Sequence, residues 1–486
     1  MKRLFLLLFL AAGFSAAAQT AEKWEQIYGA AGQEYGYSVK TCLGQGYLVA
    51  GTTSSGGVTD GYIVRTDSVG LVMWSKYFVG NNIDVIRSVK QLPDSGFVLA
   101  GFSNSAGHGG YDGWLLRTDK NGDTLWTKYI GTTDWDFFYD VDTTFDGGFM
   151  LVGGTYGAGA GEEDFYLVRT DANGDTLWTR TVGGMKTEEA QAVVSTADTL
   201  YAACGFTYSK GDTLGDSWIV RFDDNGDTLW TRTTGIPNAE DKAWDIVALH
   251  PFGKLYIVGE NYLSGNKDPL LHCLDYSGNT LFSLTNNFGG SQEDDFHSIV
   301  FSPPYYIATI GTTYSFGSGN GDFSFYTDNY GWVTTTCGTL QTDVAYSIDR
   351  ANDKGFIASG YTTGYSSNLP NMYLVKLDSL GATSGVLSIR EPVAAGETFA
   401  ITVFPNPSST QATFELDAAA DLSGDLLLEI FDVTGRNVMS VPASSWQLRN
   451  QRSAVCTADV SSLANGVYTY RISGKNGMTS GRLIKN

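Results

Sequence analysis

Acidic side chains recur at fixed places along the central part of this 486-residue chain, and they are the first candidates for chemistry. One acid lies ten or eleven residues after an aromatic residue that recurs about every 50 residues, at Trp24, Trp74, Trp126, Trp178, Trp230, Phe282 and Trp332. These acids are Glu34, Asp84, Asp136, Glu188, Asp241, Glu293 and Asp343. A second precedes an apolar run, at Asp60, Asp112, Asp164, Asp216, Asp268 and Asp322, with Asn371 in the seventh place. Crowded carboxylates need backbone N–H groups, Arg side chains or a cation to compensate their charge. Two interpretations stay open: the acids cap loops, or some of them bind Ca²⁺ or the hydroxyl groups of a carbohydrate.

A third set of positions differs from one repeat to the next, so the repeat alone does not explain it. In chain order these positions hold Tyr37, Arg87, Tyr139, Gln191, Trp244, His297 and Tyr346. Aromatic rings stack on sugar rings or peptide side chains, and Arg, Gln and His add hydrogen bonds. We predict that these seven residues contact a ligand. The alternative interpretation is that they fill gaps between neighbouring repeats.

The elements that position these residues also repeat. Trp74, Trp126, Trp178 and Trp230 are 52 residues apart, and nearly identical phrases such as DANGDTLWTR surround three of them. Each period also contains an apolar run ending in Gly, such as YLVAG, and a run ending in Asp, such as YIVRTD. Short runs of β-branched and aromatic residues between Gly-, Asn- and Asp-rich turns are typical of antiparallel strands. Four such strands in each period, which we name A to D in chain order, predict the blades of a β-propeller.

The number of repeats and the two ends of the repeat region predict how the ring closes. Seven sets of strands A, B and C are present, but only six are followed by a strand D of their own. The chain provides an unmatched D-type segment, WEQIYG at 24–29. This segment is predicted to complete the last blade, which would remove the exposed sheet edges. The prediction is an all-β chain with a seven-bladed β-propeller over residues 19–380, in which strand 24–29 closes the last blade. Loops D–A and B–C of a blade emerge at the same end, so both acid sets and the seven variable positions are expected there.

The turn between strands C and D carries Asp, Gly and then Trp four residues after the Gly. This D-x-x-G turn resembles the Asp-box of sialidase-type propellers and the repeat of quinoprotein propellers, although its spacing differs from each by one residue. Asp can accept backbone N–H groups, Gly can take a positive φ, and Trp can pack between blades, so a structural role is predicted. A basic residue that recurs two residues before this Asp predicts ion pairs at the strand edge.

The charge and the chain ends limit the location and the partners of the protein. The formal net charge is −21, which repels nucleic acid and anionic lipid and argues against both as partners. Residues 1–18 have the basic start, apolar run and small-residue cleavage site of a secretory signal peptide, with cleavage predicted after Ala18. No later segment has the roughly 18 consecutive apolar residues of a membrane span. Five scattered Cys residues without CxxC spacing predict buried free thiols, and no zinc motif is present.

The last part of the chain has a different pattern. A linker is predicted over 381–397, followed by alternating strands over 398–486 that indicate a small Ig-like β-sandwich. Four of its phrases closely resemble the type A sorting domain of the type IX secretion system: Pro405–Pro407, Asp432–Arg436, Leu463–Tyr468 and the terminal strand ending RLIKN. The resemblance implies export across the outer membrane by the type IX secretion machinery, followed by release or attachment at the cell surface. The repeats resemble bacterial secreted β-propeller repeats, a resemblance that implies a fold and a location but no activity.

The function predicted from these features is a secreted or surface-attached binding protein that presents a glycan or protein ligand site on the propeller. One alternative is a propeller-class glycan hydrolase or lyase, and another is a structural spacer without a soluble ligand. A sialidase-like enzyme would need three converging Arg residues, whereas the Arg residues here follow the repeat. A quinoprotein dehydrogenase would usually have adjacent Cys residues, which are absent from the sequence. A non-catalytic role without a cofactor is therefore favoured, and calcium stays a hypothesis for the first acid set.

Overall fold

A computed structural model describes residues 23–29, 32–263, 265–285, 288–304, 306–317, 319–328, 333–364, 369–382, 399–404, 408–418, 426–431, 436–450, 453–474 and 477–485. The regular secondary structure of the described residues consists of strands and two single-turn 3₁₀ helices at His250–Phe252 and Ala443–Ser445, joined by turns and loops. Nine four-stranded antiparallel sheets result, seven in the repeat region and two in the C-terminal region. The predicted signal peptide (1–18) and most of the predicted linker lie outside the described residues.

The repeat region contains 28 strands. The first three complete blades contain β2 (Gln33–Thr41), β3 (Tyr47–Ser55), β4 (Val58–Thr66) and β5 (Val72–Phe78); β6 (Asp84–Gln91), β7 (Phe97–Ser103), β8 (Asp112–Thr118) and β9 (Thr124–Ile130); and β10 (Asp136–Thr143), β11 (Phe149–Thr155), β12 (Asp164–Thr170) and β13 (Thr176–Val182). The next three contain β14 (Glu188–Ser195), β15 (Tyr201–Thr207), β16 (Asp216–Phe222) and β17 (Thr228–Thr234); β18 (Glu240–Leu249), β19 (Lys254–Leu263), β20 (Asn266–Asp275) and β21 (Thr280–Thr285); and β22 (Ser298–Ser302), β23 (Tyr306–Thr313), β24 (Asp322–Thr327) and β25 (Val333–Cys337). The seventh contains β26 (Asp343–Arg350), β27 (Phe356–Thr362), β28 (Asn371–Leu377) and β1 (Trp24–Tyr28).

The strands are arranged as a closed ring of blades. The seven A strands each contact the A strand of the next blade, and β26 of the seventh blade contacts β2 of the first. Strands B and C are buried on both faces, because neighbouring blades cover each sheet, which explains their nearly continuous apolar runs. Strands D are partly exposed at the rim. The predicted seven-bladed propeller is therefore confirmed.

The first strand of the chain lies in the last blade. β1 pairs antiparallel with β28, with Trp24 opposite Lys376 and Tyr28 opposite Met372. Trp24 is buried, and its indole Nε1 donates to the backbone oxygen of Ser68 at 3.1 Å, in the D-x-x-G turn of the first blade. The two ends of the repeat region are thus joined within one sheet, and Trp24 links that sheet to the next.

The repeated turn residues hold the blades in the same way elsewhere. Asp171 accepts backbone N–H groups of Asn173 and Asp175 at 2.8 and 2.9 Å, which closes its turn. Trp178 reaches across to the next blade, where its Nε1 donates to the backbone oxygen of Asp224 at 2.9 Å. Four of the five recurring basic residues form ion pairs with the Asp of the A–B turn, namely Arg117 with Asp94, Arg169 with Asp146, Arg221 with Asp198 and Lys376 with Asp353. The fifth, Arg65, donates to backbone oxygens instead, including that of Gln45 in its A–B turn. All five Cys residues are buried free thiols.

The C-terminal region forms a β-sandwich, as predicted. One sheet has the order β29 (Phe399–Phe404), β30 (Gln411–Ala418), β34 (Ser453–Asp459) and β33 (Gln447–Asn450); the other has the order β32 (Asn437–Val441), β31 (Leu427–Phe431), β35 (Gly466–Gly474) and β36 (Gly477–Lys485). Phe414 of the first sheet and Ile430 of the second lie in a common core. The Tyr468 hydroxyl donates to the backbone oxygen of Ala464 at 2.8 Å and closes the Leu463–Tyr468 turn. Residues 405–407 and 432–435 of the other two motifs lie outside the described residues.

Candidate ligand-binding site

A β-bulge interrupts the A strand at the same place in six blades. At each bulge one residue is skipped in the pairing of strands A and B, as between Gly36 and Ser38 or between Ala243 and Asp245. The skipped residues are Tyr37, Arg87, Tyr139, Gln191, Trp244 and Tyr346, which are six of the seven predicted ligand contacts. His297, the seventh, lies directly before β22. Because a bulge re-aims the side chain of the extra residue, these positions are freed from the regular pleat.

We name the seven predicted ligand contacts the belt, and six of them contact one another around the axis of the ring. Ring centroids are 5.1 Å apart for Tyr37 and Tyr346, 5.5 Å for Tyr346 and His297, and 5.6 Å for His297 and Trp244. The Arg87 guanidinium carbon lies 4.6 Å from the Tyr37 ring centroid and 5.5 Å from that of Tyr139. The structure thus brings six of the seven residues into one continuous chain of contacts.

The remaining member, Gln191, marks a gap in the belt between Tyr139 and Trp244. Its amide donates to the Glu189 carboxylate instead of contacting a belt residue. The buried indole Nε1 of Trp244 has no hydrogen-bond partner among the described residues. Burial raises the pKa of the Tyr139 hydroxyl well above its usual range, so this group stays a neutral donor at physiological pH. The gap is therefore a break in the ring contacts, with an aromatic ring on each side and the side chain of Gln191, which is 8% exposed, between them.

The first set of repeated acids caps the loops beside the belt. The Asp136 carboxylate accepts the backbone N–H of Thr132 at 2.5 Å and its hydroxyl at 2.9 Å. Glu188 accepts the N–H of Gly184 and the Thr207 hydroxyl in the same manner, at 2.5 and 2.9 Å. Comparable bonds involve Glu34 with the Thr53 hydroxyl, Asp84 with Ser105, Asp241 with the Ile236 N–H and Asp343 with the Thr339 N–H.

In the sixth blade the capping acid is Asp294, and the prediction of Glu293 is wrong by one residue. Asp294 is buried and accepts the N–H of Gly290 and the hydroxyl of Ser315, each at 2.7 Å. Glu293 is exposed. In the other blades the capping acid lies three residues before the belt residue, and Asp294 has that spacing to His297. The spacing from the belt would have identified the residue, whereas the spacing from the Trp did not.

The two acid sets face each other between neighbouring blades. A Cβ on Gly235 would lie 2.3 Å from Asp241 Oδ2 and 3.0 Å from Asp216 Oδ1, so the two carboxylates converge on this glycine. Burial, with the Asp216 charge as a further cause, raises the pKa of Asp241 to about 7. Burial likewise raises the pKa of Asp343 to about 6. Among the described residues no group of three or more His, Cys, Asp or Glu side chains could hold a metal ion. The contacts observed for the first acid set are hydrogen bonds to loop N–H and hydroxyl groups.

Further residues around the belt were missed by the sequence analysis. The residue two positions before each belt residue also varies from blade to blade, and its side chain joins the same surface: Tyr35, Val85, Phe137, Glu189, Lys242, Asp295 and Val344. The Tyr35 ring stacks on Tyr37 with centroids 6.0 Å apart, and Phe137 stacks on Tyr139 at 6.1 Å. We name the belt with these residues and their neighbours on strand B and loop B–C the mouth. Variation between repeats, the signal that identified the belt, would have found these residues as well.

A comparison with protein families concerns the C-terminal region. Residues 402–486 match the family model described as the secretion system C-terminal sorting domain. This region is a type IX secretion sorting domain. The resemblance inferred from Leu463–Tyr468 and the terminal strand is thereby confirmed, and the domain implies interaction with the secretion machinery. The protein is accordingly secreted or located at the cell surface. Within the described residues, no helix is long and apolar enough to cross a membrane.

The propeller has distant similarities to solved structures. The chain is 11% identical to Sqt1 from Chaetomium thermophilum, covering 82% of this chain and 97% of that one with a TM-score of 0.42. A puromycin hydrolase S511A mutant is 13% identical, with 80% and 59% covered and a TM-score of 0.47. A quinoprotein alcohol dehydrogenase-like protein from Bacteroides thetaiotaomicron is 11% identical, with 90% and 95% covered and a TM-score of 0.33. No curated protein matches the sequence.

Proposed function

We propose that the protein is a non-catalytic binding protein, carried to the outside of the cell by its sorting domain, which holds a glycan or protein ligand at the mouth of the propeller. The observation that carries this proposal is the repeated bulge. Bulged residues point away from the regular pleat at the cost of strand pairing, and they are retained where they serve a local purpose. Here the bulge recurs in six blades, and the residue that it presents is Tyr in three of them and Arg, Gln or Trp in the other three.

The chemistry of the mouth supports a polar ligand with apolar faces. Tyr37, Tyr139 and Trp244 offer aromatic rings, and Arg87 and Gln191 offer hydrogen bonds, which is the mixture found in binding sites for sugars and peptides. A groove of about 360 Å³ also opens beside the mouth, between residues 184–186 and 208–213 of the fourth blade. These segments belong to loops at the same end of the blade as the belt, so a large ligand could extend from the axis onto this groove.

The proposal is tested by screening the purified protein against a glycan array and a peptide array. The variants Tyr139→Ala and Trp244→Ala, which widen the gap in the belt, should lose at least about tenfold in affinity for any ligand found. Tyr77→Ala is the matched control, because Tyr77 is 50% exposed on the outer strand β5, far from the belt in the blade. Thermal unfolding of each variant separates loss of binding from loss of folding.

Three results would contradict the proposal. Binding that is unchanged in both belt variants would show that the mouth is not the site. Turnover of a bound glycan, measured by release of reducing ends, would show instead that the protein is a propeller-class hydrolase or lyase. Failure of every glycan and peptide to bind would favour the structural spacer.

A further inference from the structure

The mouth has two chemically different sides. Aromatic side chains dominate the mouth from the seventh blade through the first to the third. The ring centroids of Tyr361 and Tyr35 are 5.1 Å apart, and those of Phe102 and Phe137 are 5.0 Å apart. Charged side chains dominate it from the third blade to the sixth, at the belt-flanking positions Glu189, Lys242 and Asp295 and nearby at Glu163, Glu240, Glu260 and Lys267. The gap in the belt at Gln191 lies where the two sides meet. A ligand at this gap would therefore contact aromatic rings and charged groups together.

The cations on the charged side already have anionic partners. Lys242 Nζ lies 2.9 Å from Glu240, and Lys267 Nζ lies 3.2 Å from Glu260. Glu163 and Glu189 form no ion pair with any described residue, although Glu189 accepts a hydrogen bond from Gln191. Burial raises the pKa of Glu189, and the charges of Arg87 and Lys242 oppose this rise without forming an ion pair with it. Negative charge is thus left over at the gap. The net charge of −21 for the whole chain adds a long-range attraction for a cationic partner.

Glu163 is the one acid at a position that differs between blades, where the others have Thr59, Tyr111, Gly215, Lys267, Gly321 and Pro370. Its side chain is 3% exposed, and Oε1 has no hydrogen-bond partner among the described residues. Oε1 lies over Gly154, where a Cβ would be 2.0 Å away. The other six blades have a larger residue at the position of Gly154: Thr52, Phe102, Phe206, Glu260, Thr312 and Tyr361. The third blade alone has therefore lost a side chain on strand B and gained a buried carboxyl in its place.

The remaining contact of Glu163 is with a side chain that can move. Tyr156 forms a hydrogen bond with the Glu163 carboxyl, and its ring is 40% exposed. Burial, together with the nearby Glu189 charge, raises the pKa of Glu163 to about 7, so its carboxyl is about half protonated at neutral pH. A buried carboxyl without a full set of partners is costly to ionise. A cation that displaced the Tyr156 hydroxyl would remove this cost.

Arg87 shows which kind of cation the belt accepts. Its long side chain places a charged group against Tyr37 and Tyr139, in the belt position before the gap. At the gap itself, the rings of Tyr139 and Trp244 lie on either side of Gln191 and have no cation between them within the described residues. A flexible alkyl stem with a terminal charge can lie between such rings as Arg87 does. This arrangement favours a lysine side chain over an amino sugar.

We infer that the mouth binds a basic protein partner through a lysine side chain whose ammonium group takes Glu163 and Glu189 as its anionic partners in place of the Tyr156 hydroxyl. The alkyl stem of that lysine lies between Tyr139 and Trp244. The ammonium group keeps its three protons, and a proton held by Glu163 passes to solvent as the ion pair forms. This inference rests on the proposed function and specifies the ligand of the same site.

The test is calorimetric titration with a blocked peptide that has one Lys between two Gly residues on each side. The same peptide with norleucine in place of Lys should bind at least about tenfold more weakly, because it lacks the ammonium group. Glu163→Gln should weaken binding of the Lys peptide about tenfold and abolish the proton release seen as a buffer-dependent heat at pH 7. Tyr156→Phe, which removes the competing hydroxyl, should bind the Lys peptide more tightly than the wild type.

Glu162→Gln is the matched control, because Glu162 is the exposed neighbour of Glu163 and its replacement removes the same charge from the surface. It should leave the affinity unchanged. Equal binding of the two peptides, or an unchanged affinity in both Glu163→Gln and Tyr156→Phe, would overturn the inference while the proposed function is still judged by Tyr139→Ala and Trp244→Ala. Glucosamine oligomers that bind with the same dependence on Glu163, in place of the Lys peptide, would overturn the assignment to a protein partner.

Discussion

Replacing Asp241 with Asn is expected to stabilise the propeller at neutral and alkaline pH. Asp241 is fully buried, its Oδ2 accepts the Ile236 N–H at 2.9 Å, and its Oδ1 has no hydrogen-bond partner among the described residues. Burial is the main reason that its pKa rises from 3.8 to about 7, and the facing Asp216 carboxylate adds to the rise. Asn keeps an acceptor for Ile236, cannot ionise, and offers an N–H₂ group to Asp216.

The sign and size of the effect follow from the difference in proton binding between the folded and unfolded states. Because the folded-state pKa of Asp241 lies above the unfolded value, its contribution to stability is fully present below about pH 4 and is lost as the pH rises through about 7. At about 1.4 kcal/mol per pH unit, the difference corresponds to about 4 kcal/mol. This figure is an upper limit, because the Asp216 carboxyl can share the proton.

The assay is urea unfolding of wild type and Asp241→Asn at pH 4, 6 and 8. We expect the variant to gain free energy of unfolding relative to the wild type as the pH rises, with little difference at pH 4. Asp171→Asn provides a control of opposite sign, because backbone N–H groups of Asp175 and Asn173 lower the pKa of Asp171. That variant should be less stable than the wild type at pH 8. A loss of stability in Asp241→Asn at pH 8 would refute the reasoning, since the charged carboxylate would then be the better cap.

Two further predictions concern close packing. Gly183→Ala should lower the free energy of unfolding, measured with urea, by about 2 kcal/mol or more, because the added Cβ would lie 1.6 Å from Asp164 Oδ1. Gly466→Ala is the control and should leave the free energy of unfolding nearly unchanged, because no atom lies within 4 Å of the added methyl group. Trp24→Ala should lose about 3 to 5 kcal/mol, because Trp24 is buried where the first strand meets the first blade. Trp135→Ala, at a residue that is 48% exposed, should change the free energy of unfolding by less than about 1 kcal/mol, and a similar loss in both Trp variants would contradict the importance of this seam.

The fold could be predicted because each structural residue has a local physical role that recurs. Asp171 closes a turn with two backbone N–H groups, and Trp178 reaches the turn of the next blade. Such roles need the same residue type in every blade, so they appear as a period in the sequence. The predicted D-type segment at 24–29 follows from the same argument, since Trp24 occupies the place of Trp178 in its own blade. The last D-x-x-G turn extends to Ala382, because the N–H of Ala382 donates a hydrogen bond to the Asp378 carboxylate. Ala382 lies two residues beyond position 380, where the end of the propeller was predicted.

The site could be predicted only in part. The belt was predicted because its residues vary between blades. The bulge that presents them could not be predicted, because no residue type marks it: Gly36–Tyr37 and Ala243–Trp244 share only a small residue before the one that is skipped. The bulge is a property of pairing between strands A and B, which becomes apparent only when the ring is assembled. The prediction of Glu293 in place of Asp294 has a related cause. The loop after strand D differs in length between blades, so the number of residues from the Trp to the capping acid is not constant.

The acids of the propeller separate into two kinds when each is considered with its partners. Asp136 and Glu188 accept backbone N–H groups of their loops. Every blade except the first, which follows Asn371, pairs such an acid with one from the preceding strand C, so symmetry and capping account for them. Glu163 has no equivalent in the other blades, lies over a glycine that is equally unmatched, and keeps one oxygen without a partner. A carboxyl that neither the repeat nor a loop requires is destabilising unless it meets a ligand, which is why the third blade is the place where binding should be sought first.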